Sequence, residues 1–129
     1  MWGILTTDVF DDWFLAQNEG LREDVLAVMQ ILAEMGPKPG RPYVDTLKRC
    51  QFPNLKELRV QHAGMPVRAF FAFDPVRRAI VLCAGNKAGC QQKQFCAGNK
   101  AGCQQKQFYR TMIRLAEAEY RKHLVHMEG

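Results

Sequence analysis

Two segments with alternating side chains, residues 56–62 and 67–73, constrain the fold of this chain more than any other feature. Each places apolar residues at every second position, which is typical of strands that bury one face. Ala63 and Gly64 between them suit a tight turn, so the pattern predicts an antiparallel hairpin. A chain with such a hairpin needs a sheet whose apolar face is covered by other elements.

The register of this hairpin brings two arginines together. With an even loop centred on the turn, Val60 lies opposite Val67, and the same register sets Arg59 opposite Arg68. Two like charges that face each other across a strand pair are destabilising by themselves. We therefore expect either an acidic neighbour such as Glu57 or an anion bound between the two guanidinium groups.

Shorter patterns predict the remaining elements. In chain order, we expect a strand at 2–6, a helix that Thr7 caps and Gly20 ends, a helix from 21 to 36, a long loop over 36–54, a central strand at 78–84 and a closing helix at 108–126.

These elements define a fold class. The chain has 129 residues, of which 47% are hydrophobic and 24% charged, and this balance is typical of a globular protein. Its length suits one domain over residues 1–129. We predict an α+β fold in which a strand and two helices precede a three-stranded antiparallel meander and a last helix. The helices should stack on one side of the sheet, leaving the other face partly polar and basic.

No segment resembles a membrane span or an export signal. The longest uncharged stretch, residues 25–33, has about half the length that a spanning helix needs, and three aspartates interrupt the apolar start of the chain. Five cysteines, an odd number, favour free thiols in a reducing compartment. We therefore expect a cytoplasmic protein that does not contact a membrane.

A tandem duplication is the most unusual feature of the sequence. Residues 83–95, CAGNKAGCQQKQF, recur unchanged as residues 96–108. We interpret the second copy as an extension of one loop, because a single tandem copy is too short for a repeat architecture. Four of the cysteines belong to the two copies, but their spacing is wider than that of structural zinc sites. We expect neither a metal site nor a cofactor.

The charges are unevenly distributed along the chain. Residues 1–34 hold seven acids and one base, whereas residues 35–114 hold fifteen bases and three acids. A basic block of this size is typical of a surface that binds a polyanion, most simply a nucleic acid. A solvated basic face is the plainer alternative.

Several segments together carry a family resemblance. They are KELRVQHAGMPVRAFFAFDPVRRAIVL at 56–82, GRPYVDTL at 40–47, GNKAG at 85–89 and FYRTMIRLAEAEYRKHL at 108–124. In this series they resemble the HigB-type, phage-derived branch of the RelE/ParE toxin superfamily over nearly the whole chain. The duplication departs from the family pattern, in which one GNK segment precedes the FY pair.

The resemblance implies a RelE-like fold and a type II toxin. Such a toxin cleaves messenger RNA, typically on the ribosome, and is neutralised by a small antitoxin with a helix-turn-helix domain. The resemblance and the absence of a His-x-His or carboxylate cluster from the sequence imply cleavage without a metal, in which a 2′-hydroxyl attacks the adjacent phosphate.

The resemblance also implies roles for individual residues. Arg59 and Arg68 would clamp the phosphate, and Tyr109 would stack on a base or aid proton transfer. Beside these carried-over roles, Lys56 is a candidate for the base. The GNK lysine would add charge; Lys87 has the expected distance from the strand and Lys100 the expected distance from Tyr109. We expect four residues to contact RNA: Lys87, Lys100, Lys106 and Arg110.

Plainer and rival interpretations accompany these roles. Both arginines could be solvated strand residues, and Tyr109 could simply pack on the sheet. We expect His123 and His126 to lie on the surface of the last helix rather than in a catalytic site. At the level of function, the alternatives are a ParE-like poison of DNA gyrase, since fold alone does not assign function, and an inactive antitoxin-binding product of the duplication.

Overall fold

The computed structural model of the protein describes residues 2–37, 43–47, 52, 54–87 and 101–128, with the side chains of 101–105 and 128 excepted. The described elements are β1 (Gly3–Thr6), α1 (Asp8–Leu15), α2 (Glu19–Met35), β2 (Val44–Thr46), β3 (Leu55–His62), β4 (Met65–Phe73), β5 (Arg78–Asn86) and α3 (Ala101–Glu128). Their order confirms the predicted α+β class, with a strand and two helices ahead of the meander.

The strands form one five-stranded sheet in the order β1-β5-β4-β3-β2. The central meander is antiparallel as predicted, and β1 joins it in parallel to β5. The prediction of a loop over 36–54 is wrong at β2, which pairs with residues 56–58 of β3. Three residues are too few to show alternation in the sequence, so β2 is recognised only by its pairing with the edge of β3.

The β3–β4 hairpin has the predicted register. Val60 pairs with Val67 and Arg59 pairs with Arg68. The turn between the strands places Ala63 at φ 49° and Gly64 at φ 81°, the left-handed values that a two-residue hairpin loop requires.

The helix boundaries follow from capping side chains. The Thr7 hydroxyl accepts a hydrogen bond from the Phe10 amide at 3.1 Å, so Thr7 caps α1 as predicted. Gly20 does not end α1, because Asn18 caps a new helix there by accepting from the Leu21 amide at 2.8 Å. This second cap places Gly20 inside α2. Gly36 ends α2 as predicted, with a φ of 62°.

The helices cover both faces of the sheet, which corrects the prediction that they stack on one side. One face packs against α1 and α2 through a cluster that includes Phe10, Val25 and Phe71. The opposite face packs against α3 through a cluster that includes Phe70 and Tyr120. The expected polar face therefore contains a second apolar core, and α3 covers it because Phe70 and its neighbours must be kept from water.

The ends of the duplicated segment lie in regular elements. Residues 83–86 of the first copy belong to β5, and residues 101–108 of the second copy belong to α3. The expected loop therefore does not extend over these residues, and α3 begins seven residues before the predicted start. Phe108 at the end of the second copy packs on Gly85 of the first, where a Cβ would lie 3.1 Å from its ring. Residues 88–100 lie outside the described part of the chain.

Two searches of the described residues bear on metals and membranes. No three histidine, cysteine, aspartate or glutamate side chains come together there as metal ligands. Cys83 is buried in β5, and the thiols of the other repeat cysteines are not among the described side chains. None of the described helices combines the length and the apolar character that crossing a bilayer would require.

Candidate nucleic-acid interface

The predicted arginines lie on the face of the sheet that α3 covers. Side chains alternate along β3, so Arg59 shares its face with Glu57, two residues earlier. Arg68 projects from the neighbouring strand onto the same face. With Tyr109 from α3 and Lys87 from the end of β5, these residues form what we call the basic cluster: Glu57, Arg59, Arg68, Lys87 and Tyr109.

Glu57 lies at the centre of the basic cluster. Its carboxylate is 3.6 Å from the Arg68 Nε atom through Oε1 and 3.5 Å from the Arg59 guanidinium through Oε2. The Tyr109 hydroxyl donates a hydrogen bond of 2.7 Å to Oε1. Glu57 is only 5% exposed, so these interactions are weakly screened by solvent. The acidic neighbour thus relieves the repulsion between the two arginines, as the first of the two predicted alternatives requires.

Arg68 is buried with an incomplete set of hydrogen bonds. Its side chain is 5% exposed, and one terminal nitrogen donates to the Val67 carbonyl at 3.0 Å. Its Nε atom is buried and has no hydrogen-bond acceptor among the described residues. A buried donor without an acceptor is costly, and an anionic oxygen within reach would relieve that cost.

Tyr109 is held in its protonated form. Burial raises the pKa of its phenol to about 12, and the hydrogen bond from the phenol to Glu57 and the charge of Glu57 act in the same direction, whereas Arg68 opposes them. At neutral pH the hydroxyl is therefore a hydrogen-bond donor. In chemical terms Tyr109 can give a proton but is a poor proton acceptor.

Lys87 completes the basic cluster. Its ammonium lies 5.5 Å from the centre of the Tyr109 ring, within the range of a cation–π contact. Its backbone amide donates to the Pro66 carbonyl at 2.8 Å, which fixes the end of β5 against β4. The first copy of the repeat thus supplies a lysine beside Tyr109, and the alternative residue, Lys100, lies outside the described residues.

The structure does not bring Lys56, Lys106 or Arg110 into the basic cluster. Lys56 alternates with Glu57 and so lies on the opposite face of the sheet, where its ammonium is 3.2 Å from the Thr46 hydroxyl. Lys106 and Arg110 are exposed on α3. They extend the positive surface of α3, and neither side chain contacts the Glu57 carboxylate.

His123 lies in a second polar group on the same face, and the prediction that it is a surface residue is wrong. Its side chain is 12% exposed, and its Nε2 atom is 3.2 Å from the Asp74 carboxylate. His126, by contrast, is exposed as predicted. The second group, which we call the Asp74 cluster, comprises Asn54, Asp74, Arg78, Tyr120 and His123.

Sequence reasoning named Glu57 as an acidic neighbour of the two arginines but did not place it at the centre of a site. The signal was present, because residues 57 and 59 lie on one face of a strand and the register placed Arg68 opposite Arg59. The contact with Tyr109 depends on how α3 crosses the sheet, which no local pattern specifies. The resulting cluster combines a carboxylate, a phenol and three cations, a set suited to binding a phosphodiester and moving protons at it.

Comparisons with known proteins identify the fold and the family of this chain. At the level of fold, the structure matches that of an arginine-to-alanine double mutant of the E. coli toxin RelE in the free state, with a TM-score of 0.53, 10% sequence identity and coverage of 72% of this chain and 90% of that one. The molecule therefore has the α+β fold of RelE. Residues 12–121 match the family described as phage-derived protein Gp49-like (DUF891), and the chain belongs to this family.

Two relatives come from Mycobacterium tuberculosis strain H37Rv. The protein named Putative toxin HigB3 is 46% identical over 77 residues, which are 60% of this chain and 66% of the relative. The one named Putative toxin HigB2 is 46% identical over 78 residues, which are 60% of this chain and 39% of the relative. The matched region thus spans less than two thirds of either relative. The family resemblance drawn from the sequence is confirmed.

Proposed function

We propose that this chain is the toxin of a type II toxin–antitoxin module and that it cleaves messenger RNA. Membership of the phage-derived family, the relatives named as HigB toxins and the RelE fold support this proposal. The observation that carries the chemistry is Arg68, whose buried Nε lies 3.6 Å from the Glu57 carboxylate and has no hydrogen-bond acceptor among the described residues, beside the Arg59 guanidinium. A phosphodiester oxygen would supply that acceptor and balance the excess positive charge.

The proposed reaction is attack of a ribose 2′-hydroxyl on the adjacent phosphate. The 2′-oxygen–phosphorus bond forms as the bond to the 5′-oxygen breaks, which leaves a cyclic phosphate. Glu57 would accept the proton of the 2′-hydroxyl, and the protonated Tyr109 would donate one to the departing 5′-oxygen. Arg59 and Arg68 would stabilise the extra negative charge of the pentacoordinate phosphorus.

Glu57 replaces Lys56 as the proposed base. Lys56 lies on the opposite face of the sheet beside Thr46, whereas the Glu57 carboxylate contacts both arginines and the phenol. Lys87 contributes charge beside Tyr109 in this scheme. We propose that Lys106 and Arg110, which are exposed on the same helix, contact RNA beyond the scissile phosphate, together with Lys100.

The proposal extends to partners. The similarity to toxins implies a cognate antitoxin, and we propose that it carries a helix-turn-helix domain. We further propose that the messenger RNA is cut on the ribosome, which would place the activity in the cytoplasm. The chemistry proposed for the basic cluster needs no cofactor, because the cluster contains a proton acceptor, a proton donor and charge stabilisation.

Primer extension on a defined messenger RNA tests this function. Purified protein is added to a translating extract and, separately, to the naked RNA, and the new 5′ ends are mapped. We expect cuts with the wild type, a loss of about 100-fold or more with Arg68→Ala, and no loss with Arg22→Ala. Arg22 lies on α2, on the other side of the sheet, and donates to the Gln17 carbonyl.

The outcomes separate the proposal from its rivals. Cuts in the extract alone would support action on the ribosome, and cuts in both arms would support cleavage of free RNA. No cut in either arm would contradict the nuclease proposal and favour a gyrase poison or an inactive product. Equal cutting by the wild type and Arg68→Ala would contradict the phosphate-binding role of the basic cluster.

A further inference from the structure

A groove of about 510 Å³ opens beside β3 on the side of α2. It begins where the pairing of β2 ends, at residue 58 of β3. The next residue, Arg59, donates its backbone amide to the Tyr43 carbonyl at 2.6 Å, which holds Tyr43 against the edge of the sheet. The groove therefore lies between this edge and the middle of α2, beside the apolar core that contains Val60.

Arg59 and Arg68 line this groove as well as the basic cluster. A nucleotide whose phosphate lies on their guanidinium groups would therefore be directly adjacent to the groove. An RNA strand that enters the basic cluster has a sugar and a base on each side of every phosphate.

The remaining groove walls suit a flat aromatic ring. Apolar atoms come from Ala27, Val28, Ile31 and Val60, and polar atoms come from Asp24 and Gln61. Tyr43 is 42% exposed and contributes an aromatic side chain to the groove. Exposed aromatic rings beside cationic residues are typical of sites that stack single-stranded bases.

We propose that this groove binds a nucleobase of the RNA next to the scissile phosphate and that Tyr43 stacks on it. The Asp24 carboxylate, which is 47% exposed while it contacts His62, and the Gln61 amide would read the edge of the base by hydrogen bonds. This inference rests on the proposed nuclease function. It assigns the preference for particular cut sites to the groove and the cleavage itself to the basic cluster.

Two variants test the groove while keeping every residue of the basic cluster, and a third variant is their control. Tyr43→Ala removes the stacking ring, and Ala27→Trp fills the groove from an exposed position of α2, so that a folding defect is not expected. Leu26→Trp is the matched control, because Leu26 is 53% exposed on the same helix and does not line the groove. Circular dichroism melting of each variant checks that the fold is retained.

The experiment maps new 5′ ends in an RNA pool of random sequence, in whichever arm the wild type cuts. We expect a base bias beside the cut for the wild type and for Leu26→Trp. Tyr43→Ala and Ala27→Trp should cut about tenfold more slowly and lose much of that bias, since a stacked base contributes about that much to binding. Unchanged rate and bias in both groove variants would overturn this inference while leaving the nuclease proposal intact. An absence of cuts with the wild type would overturn the nuclease proposal, and this inference with it.

Discussion

The basic cluster and the Asp74 cluster lie on the same face of the sheet, under opposite ends of α3, yet they differ in how completely their polar atoms are paired. In the Asp74 cluster, the carboxylate accepts four hydrogen bonds, from the amides of Val76 and Arg78, the Arg78 side chain and His123. In the basic cluster, one carboxylate faces two guanidinium groups and the Arg68 Nε lacks a hydrogen-bond acceptor among the described residues.

The difference indicates a division of roles. A fully paired buried carboxylate stabilises the fold, here by joining the β4–β5 turn to the end of α3. A cluster with excess cations and a buried donor that lacks a hydrogen-bond acceptor among the described residues is unfavourable for stability by itself, and such clusters are common at functional sites. We therefore expect substitutions in the basic cluster to affect cleavage, and substitutions in the Asp74 cluster to affect the free energy of unfolding.

The largest effect is expected for Glu57→Gln. The amide keeps the size of the side chain but cannot take the proton of the 2′-hydroxyl, so the cleavage rate should fall by about 100-fold to 1000-fold. Glu119→Gln is the control, because Glu119 is also a buried carboxylate but lies on α3 and pairs with Lys122. Equal loss in both variants would contradict a chemical role for Glu57.

The second effect concerns stability and is expected for Asp74→Ala. Removal of this fully buried carboxylate leaves Arg78 and His123 without their acceptor, so the free energy of unfolding should fall by about 3 kcal/mol, measured in urea. The cleavage rate per folded molecule should not change. A loss of cleavage without a loss of stability would reverse the roles of the two clusters.

The same residue predicts a dependence of stability on acid. Burial alone would raise the pKa of Asp74, but its hydrogen bonds, that from His123 foremost, outweigh this effect and lower the pKa below the ordinary value of 3.8. The contribution of Asp74 to the free energy of unfolding is therefore present above its ordinary pKa and is lost as the pH falls through the lowered pKa. Wild type should lose more stability in acid than Asp74→Ala, and equal losses would contradict the assignment.

A smaller effect is expected for Tyr109→Phe, which keeps the ring and removes the proton donor. Cleavage should fall by about tenfold to 100-fold. Tyr120→Phe is the matched control, because its hydroxyl accepts from Asn54 at 2.8 Å in the other cluster; it should lower the free energy of unfolding by about 1 kcal/mol and leave cleavage unchanged. If both variants lowered cleavage equally, the phenol of Tyr109 would have no special role.

Tyr109 also predicts a loss of stability in alkali. The phenol ionises near 10 in the unfolded chain and near 12 in the folded one, so the unfolded state releases its proton first and the free energy of unfolding falls between these values. Tyr109→Phe should remove this part of the alkaline loss. Urea titrations above pH 9 measure it, and identical curves for the two proteins would contradict the burial of the phenol.

The smallest effect is expected when one copy of the repeat is deleted. Removal of residues 96–108 leaves an identical copy ahead of Tyr109, and Lys87 already contacts the Tyr109 ring with both copies present. Cleavage by the shortened chain should therefore equal that of the full chain. A clear gain in cleavage would instead show that the duplication had weakened the site.

Much of the fold follows from local patterns. Alternation in residues 56–62 and 67–73 and the turn between them predict the hairpin and its register, because a slip by one residue would expose its apolar side chains. Thr7 and Gly36 predict helix ends because their contacts are made within a few residues. Gly20 misled the prediction because Asn18, two residues earlier, caps a new helix.

Some features of the candidate site also follow from local patterns, whereas others depend on tertiary contacts. The pairing of Arg59 with Arg68 follows from the hairpin register, so a local pattern is enough to locate the centre of the positive charge. The choice between Lys87 and Lys100 could not be made from spacing, because identical copies have identical local properties. The contact of Lys87 with Tyr109 depends on where β5 ends and where α3 crosses it.

The sequence thus determined the elements and the strand register, whose causes lie within short stretches of chain. Tertiary structure decided which face α3 covers, which places Glu57 against Tyr109 and His123 against Asp74. These contacts join residues 52 and 49 positions apart, and they form because the apolar side chains between the two clusters must be buried. The burial of that core, rather than any local signal, brings the proton donor of α3 to the carboxylate and arginines of the sheet.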